Sequence, residues 1–300
     1  GSYVNRNHFA GYMELAIALP LGLLFTGAVE TPKRVVYAFV ATLMGVALLM
    51  TNSRGGVISL GAEIIFLAVV GTTAGSRSGQ RLPRGERARA AMVRAGLAFA
   101  LIVVLIGGAV AFGGSDIFTR LLGTPTASDP TTGRAHFWSV ALDVIKAYPI
   151  TGSGLGSFGV IYTRYDSRNG LFRLEQVHND YLQTLSDGGI IGAALGLWFI
   201  LVLFRRGFAR RETHDHFRRG VITGALAGCF AVLVHSFFDF TLHTTANALL
   251  FLILAALATQ DSRVDQTSQR GRRRRGASLQ SSELDAGASQ PPALKEAKSV

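Results

Sequence analysis

Four residues have types and positions suited to chemistry: His178, Arg54, Arg6 and Arg134. The histidine stands in Gln176-Val177-His178-Asn179-Asp180-Tyr181-Leu182-Gln183, at the end of the only long polar excursion in an otherwise apolar chain. This stretch opens a short helix that runs through Gly188-Gly189 into a hydrophobic span. The N-terminus of a helix carries positive potential, which favours a neutral imidazole, the form a general base requires. A surface histidine at a helix start is the competing reading.

Arg54 lies in the short turn Thr51-Asn52-Ser53-Arg54-Gly55-Gly56 between two apolar runs. It admits two readings. It can snorkel to the interface and cap the preceding helix, or it can bind an anion. Glycine backbone N–H groups and the next helix start would then join the guanidinium on a phosphate. Arg6 and His8 sit in the donor-rich Asn5-Arg6-Asn7-His8, as interfacial anchors or as active groups. Arg134 starts a helix, either solvated or on a ligand. His235, Asp239 and His243, spaced i, i+4, i+8, are expected on one helical face. An Asp239–His235 pair ordering the helix end is favoured there over a metal site, because no His-Glu-x-x-His or paired-Cys pattern accompanies them.

The elements that must position these residues are membrane spans. Apolar residues make up 49% of the chain, charged residues only 16%, and there are 35 glycines. The apolar runs approach the roughly 20 residues that cross a bilayer core. Seven spans are expected, at roughly 9–29, 34–51, 56–73, 95–113, 189–204, 220–238 and 245–259. Glu14 and Glu63 fall inside spans and are expected to meet polar partners in the bundle. The single cysteine, Cys229, also lies in a span and reads as a small buried residue.

Net charge is +11. The arginines concentrate in 74–94, 205–219 and the tail, with Lys33 and Arg34 in a short turn. With seven crossings all four segments share one side, the pattern of cytoplasmic loops rather than of a nucleic-acid surface. The N-terminal segment, the Arg54 turn, the long loop 114–188 and the turn from Asp239 to Thr244 then share the other side. Residues 260–300 are polar and are expected to be a disordered basic cytoplasmic tail. The chain thus reads as transmembrane helices over 1–113, a non-cytoplasmic loop over 114–188, transmembrane helices over 189–259, and the tail.

Within the loop, Phe137, Trp138, Ala141, Leu142 and Ile145 are expected on one helical face, and Pro149 ends that helix. The glycine-rich run 152–159 reads as a flexible loop or a close-approach turn; it follows no strand, so a dinucleotide site is not expected.

Several stretches resemble the bacterial O-antigen ligase and polymerase superfamily, which includes WaaL- and Wzy-like proteins and protein O-oligosaccharyltransferases. Val4-Asn5-Arg6-Asn7-His8-Phe9-Ala10 and Ser53-Arg54-Gly55-Gly56 carry the first matches. The run from Arg134 and Trp138 through Pro149 to Gly152-Ser153-Gly154-Leu155-Gly156 is the third. His178-Asn179-Asp180-Tyr181-Leu182-Gln183, with Gly188 and Gly192, is the fourth, and His235 to Asp239 a looser fifth. The chain is similar to the C-terminal part of such proteins, and the earlier helices are expected to be absent.

The resemblance implies an all-α, polytopic helical bundle of the GT-C type in the bacterial inner membrane, with its active face periplasmic. It implies a metal-independent, inverting glycosyltransferase without cofactor. The donor would be a glycan on undecaprenyl diphosphate. The acceptor would be a hydroxyl on lipid A-core, another glycan or a protein. His178 would activate that hydroxyl, and Arg54, Arg6 and Arg134 would hold the diphosphate. Asn179, Asp180, His235 and Asp239 would support them. Membrane lipids are the other expected partner, and nucleic acid is not one. Two other classes stay open: a transporter or flippase of lipid-linked sugars, and a non-catalytic membrane scaffold. The first needs polar residues deep in several spans, where only Glu14 and Glu63 stand.

Overall fold

The computed structural model describes residues 5–73, 134–168, 174–213 and 215–261, with single helical positions at 85, 92 and 96. The expected span 95–113, the arginines of loop 74–94 and the tail beyond 261 lie outside the described residues, apart from those single positions.

All regular structure among the described residues is helical. The helices are α1 (Arg6–Phe25), α2 (Thr31–Met50), α3 (Arg54–Thr73), α4 (Arg134–Ala147) and α5 (Phe158–Tyr165). They continue with α6 (Asp180–Arg210), α7 (His216–His235), a 3-10 turn at Thr241–His243 and α8 (Thr245–Thr259). Five of them are long and apolar enough to cross a membrane: α1, α2, α3 over Arg54–Gly71, α6 and α7. Each 20-residue helix rises about 30 Å, the thickness of the hydrocarbon core. Helix α8 is apolar but shorter.

Helices α1 and α7 form the central pair. On one side Ile17 and Leu21 of α1 join Leu48 of α2 and Leu60, Ile64 and Leu67 of α3. On the other, Leu15 and Ala18 join Leu203, Ile222, Leu226 and Leu254 from α6, α7 and α8. The pair approaches closely because glycines face each other. A Cβ on Gly22 would lie 2.3 Å from the Gly224 Cα, and one on Gly224 would lie 2.4 Å from the Ala18 carbonyl oxygen. Small residues allow this backbone contact between membrane helices, where dispersion replaces the hydrophobic drive.

The loop elements form a second layer over one end of the bundle, with their own core. Phe137, Val140 and Ala141 of α4 pack on Phe158 and Tyr162 of α5, and on Leu174 and Val177. The buried stripe of α4 is therefore Phe137–Val140–Ala141–Val144. The expected face was rotated from this one: Leu142 is exposed and Trp138 and Ile145 are only half-buried. Two adjacent stripes of α4 are apolar, so helical spacing alone does not choose between them. The buried stripe also carries His136, whose Nε2 lies 2.7 Å from Asp166 Oδ1.

Helix α6 is bent at Gly189, where φ is 59° and ψ −159°. The short polar helix from Asp180 and the long apolar one from Ile190 are thus two pieces joined by a glycine. At the opposite end of the bundle, Arg211 donates to the Val70 carbonyl at 2.8 Å, tying the end of α6 to the end of α3.

Replacing Gly224 with valine drives a side chain into the Ala18 backbone. Overpacking costs about 1–3 kcal/mol where side chains can shift, and here backbone stands in the way. G224V is expected to lower the thermal unfolding midpoint in detergent well below that of a lipid-facing control such as L197V.

Candidate functional site

The site gathers around Asp239, which follows the end of α7 and is 1% exposed. A carboxylate removed from water needs donors on its lone pairs. Four groups supply them. His178 Nδ1 lies 3.0 Å from Oδ1, and the Phe240 N–H donates to the same oxygen at 2.9 Å. The Arg134 guanidinium donates to Oδ2 at 3.3 Å, and the Asn7 side-chain amide donates to Oδ2 as well. Burial alone would raise the Asp239 carboxyl; the hydrogen bond and charge of His178, the Phe240 N–H and Arg134 outweigh it and hold the group at about 2. An ionised carboxylate only accepts. The His178 Nδ1 must therefore carry a hydrogen, so whenever the ring is neutral it is Nε2 that holds the lone pair.

His178 is 26% exposed at its side chain and has a backbone φ of 56°. A non-glycine residue in the left-handed region stores strain of order 1–3 kcal/mol and needs its surroundings to hold it there. On one side buried Val177 sits in the loop-layer core. On the other, Asn179 caps α6: its side-chain oxygen accepts from the Tyr181 and Leu182 N–H groups, each at 3.0 Å. The Asn179 amide also donates to the Phe237 carbonyl at 3.1 Å.

The residues after His178 are stitched to the end of α7. The Asp180 N–H donates to the Ser236 carbonyl at 2.9 Å, and the Ser236 hydroxyl donates to Asp180 Oδ2 at 2.9 Å. Tyr181 donates to the Leu233 carbonyl at 2.7 Å and lays its ring 4.4 Å from that of Phe237. His243 Nδ1 lies 3.1 Å from Asp180 Oδ1. The hydrogen bond and charge of Asp180 raise His243 above the usual histidine value, against burial. The Phe240 ring stands T-shaped to those of both His178 and His8, with ring centroids 4.8 Å apart in each pair.

The three arginines converge. Arg6 starts α1 one residue before Asn7, which touches Asp239. Arg54 starts α3, where Gly55 packs so tightly on His235 that a Cβ there would lie 2.9 Å from Nε2. Arg134 starts α4. Burial lowers the Arg134 guanidinium from its ordinary value; Asp239 opposes this, and the charges of Arg6 and Arg54 add to the lowering. Three cations therefore share one field at one end of the bundle. Arg6 and Arg54 are exposed there.

Two expectations are corrected. Asp239 pairs with His178 and Arg134, not with His235; His235 Nδ1 instead lies 2.9 Å from Glu14 Oε2, with both side chains fully buried. His235, Asp239 and His243 do not share a helical face, because α7 ends at His235 and the chain turns before Thr241. Each of the three meets a different carboxylate or cation. Asn7, Glu14, Ser236 and Phe240 were not singled out as site residues from the sequence. Asn7 stood in a donor-rich motif and Glu14 in an apolar span, but neither position reveals a partner more than 200 residues away.

A bundle with several membrane-length helices, closed at one end by a layer that joins a histidine, a carboxylate and three arginines, defines a polytopic membrane protein with a polar, cation-rich site. The profile of the O-antigen ligase family matches residues 39–197, just over half of the chain, and the protein belongs to that family. It is a multi-pass bacterial membrane enzyme of the O-antigen ligase and polymerase type. Arg54, Arg134 and His178 lie inside the matched segment, Arg6 and Asp239 outside it. A search of curated proteins returned no match.

A depressed carboxylate stabilises the fold above its unfolded value, and that contribution is lost as pH falls through the folded value. For Asp239 the window runs from 3.8 down to about 2. D239N is expected to be less stable than the wild type above this window, with the difference closing across it. Unfolding midpoints of both proteins in detergent, measured as a function of pH, check this.

Proposed function

We propose that the protein transfers a glycan from undecaprenyl diphosphate to an acceptor hydroxyl at the periplasmic face of the inner membrane. One observation carries the reading: a single buried carboxylate, Asp239, holds the His178 ring by Oδ1 and the Arg134 guanidinium by Oδ2. A base and a phosphate-binding cation are thereby fixed a few ångströms apart, with Arg6 and Arg54 close by.

In this reading His178 Nε2 takes the proton of the acceptor hydroxyl as its oxygen attacks the anomeric carbon. The glycosidic C–O bond to the diphosphate breaks, and its electron pair leaves with the diphosphate. One displacement inverts the anomeric centre. The imidazolium then passes its proton to solvent or to the departing diphosphate. Asp239 fixes the tautomer throughout and stabilises the imidazolium. Negative charge grows on the diphosphate during bond breaking. Arg54, Arg6 and Arg134 stay charged and can bind phosphate oxygens in pairs, so their fixed field lowers the barrier more than it stabilises the ground state. Asn179 and Asp180 hold the His178 backbone, and His235 packs under the Arg54 turn. The acceptor is lipid A-core, a second glycan or a protein; each offers the same hydroxyl chemistry.

A positioned general base contributes about 10²–10⁴-fold. H178A is expected to lose turnover by at least that factor in an assay of transfer from lipid-linked donor to acceptor, while still inserting into membranes. R54A is expected to lose turnover as well and to weaken donor binding. Undiminished transfer by H178A would remove His178 as the base.

A further inference from the structure

The loop between α4 and α5 is tied to the point on α6 where its sequence changes from polar to apolar. Helix α6 passes from Ser186-Asp187-Gly188 to Ile190-Ile191 at its Gly189 bend. The bend frees the N–H groups that begin the second piece. The loop supplies their acceptors: Ile190 N–H donates to the Pro149 carbonyl at 2.9 Å and Ile191 N–H to the Ile150 carbonyl at 3.3 Å. Gly152 and Gly189 allow this. A Cβ on Gly152 would lie 2.3 Å from the Asp187 carbonyl carbon, and one on Gly189 2.3 Å from the Ile150 oxygen. Irregular backbone at the edge of the hydrocarbon is tolerated only when its polar groups are satisfied in this way.

The rest of the loop is held as firmly. Ser153 N–H donates to the Ser186 carbonyl at 2.8 Å and Gly154 N–H to the Asp187 carbonyl at 3.0 Å. Gly156 N–H donates to the Asp187 carboxylate at 3.1 Å, and Gln183 donates to the same oxygen at 2.9 Å. Gly154 and Gly156 both have positive φ, 115° and 70°, and between them Leu155 projects with 92% of its surface exposed. Ile150 is 62% exposed beside it in sequence. A lone exposed leucine is ordinary. A leucine presented on a braced turn, beside an exposed isoleucine bonded to the first residues of an apolar helix, is not. Between Lys146 and Arg164 the sequence has no charged residue. The exposed apolar surface also continues from Ile150 onto Ile190 and Ile191 of α6.

We infer that the loop 149–156 is a membrane-contact element, with Ile150 and Leu155 immersed among lipid acyl chains just below the headgroups. The occupant is lipid because the patch is continuous with the outer face of α6, a helix of spanning length and composition. Charge-free sequence is what such depth requires. The loop thereby sets the height of the α4–α5 layer, and with it Arg134 and His178, against the bilayer surface. The inference concerns where the loop lies and stands whether or not the proposed transfer is correct.

The test uses the full chain with its one native cysteine removed as C229A, reconstituted in phosphatidylethanolamine–phosphatidylglycerol vesicles. An environment-sensitive NBD probe is placed on L155C, on D143C of the exposed face of α4 and on L197C of the α6 outer face. The probe at 155 is expected to lose emission when lipids carrying a doxyl group high on the acyl chain are included, and to resist quenching by aqueous iodide, as the probe at 197 does. The probe at 143 is expected to show the reverse. Iodide quenching at 155 without doxyl quenching overturns the inference and places the loop in water. Resistance to both quenchers also overturns it, since protein rather than lipid then covers the loop.

Discussion

A carboxylate shut away from water must be given hydrogen-bond donors, and Asp239 draws its donors from four separate parts of the chain. Asn7 comes from the start of α1, Arg134 from the start of α4, His178 from the approach to α6, and the Phe240 N–H from its own turn. Leaving such a charge unpaired costs several kcal/mol. The requirement acts as a clamp: helix starts that are distant in sequence are held at one end of the bundle because one buried anion demands them. The close glycine contact of α1 with α7 brings Asn7 within reach, and the loop-layer core around Phe137 and Val177 brings Arg134 and His178.

The same clamp accounts for features that would otherwise look unfavourable. His178 keeps a left-handed backbone, and a bent helix follows it. Bonds between residues 177–183 and 233–243 oppose the strain at the histidine with a network rather than one contact, and the bend is held by the bonds of Ile190 and Ile191 to Pro149 and Ile150. Below that network the Glu14–His235 pair fills the junction of α1 and α7, and Gly55 rests on its imidazole. The Arg54 turn is therefore seated on a buried ion-pairing group, while Arg54 itself stays exposed. In the proposed transfer, rigid support under an exposed cation is what electrostatic stabilisation of the departing diphosphate asks for.

Much of this was legible in the sequence, but unevenly. The apolar runs located the helices, and Arg134 at the start with Pro149 beyond bounded α4. The glycine-rich run read as a flexible loop or a close-approach turn, and Gly152 packed on the Asp187 backbone makes it the second. The partners were not legible. Spacing of four residues suggested Asp239 with His235, yet no glycine or proline marks the end of α7, and the helix stops at His235 itself. With two apolar stripes on α4, helical spacing picked a face rotated from the one that packs against Tyr162 and Val177. Glu14 could be identified as needing a partner, but nothing in an apolar helix says which residue on another helix provides it. Periodicity encodes which face is apolar; the pairing of polar groups across the bundle is a property of the packed structure alone.

The most direct test of the account is the tautomer of His178. With histidine labelled at both ring nitrogens, and the His178 signals identified by their loss in H178Q, nitrogen NMR of the protein in lipid distinguishes the two neutral forms. An ionised Asp239 on Nδ1 predicts that the neutral ring carries its hydrogen on Nδ1 and keeps Nε2 bare, and that D239N abolishes this preference. A neutral ring protonated on Nε2, unchanged by D239N, would contradict it, because the nitrogen meant to take the acceptor's proton would already hold one.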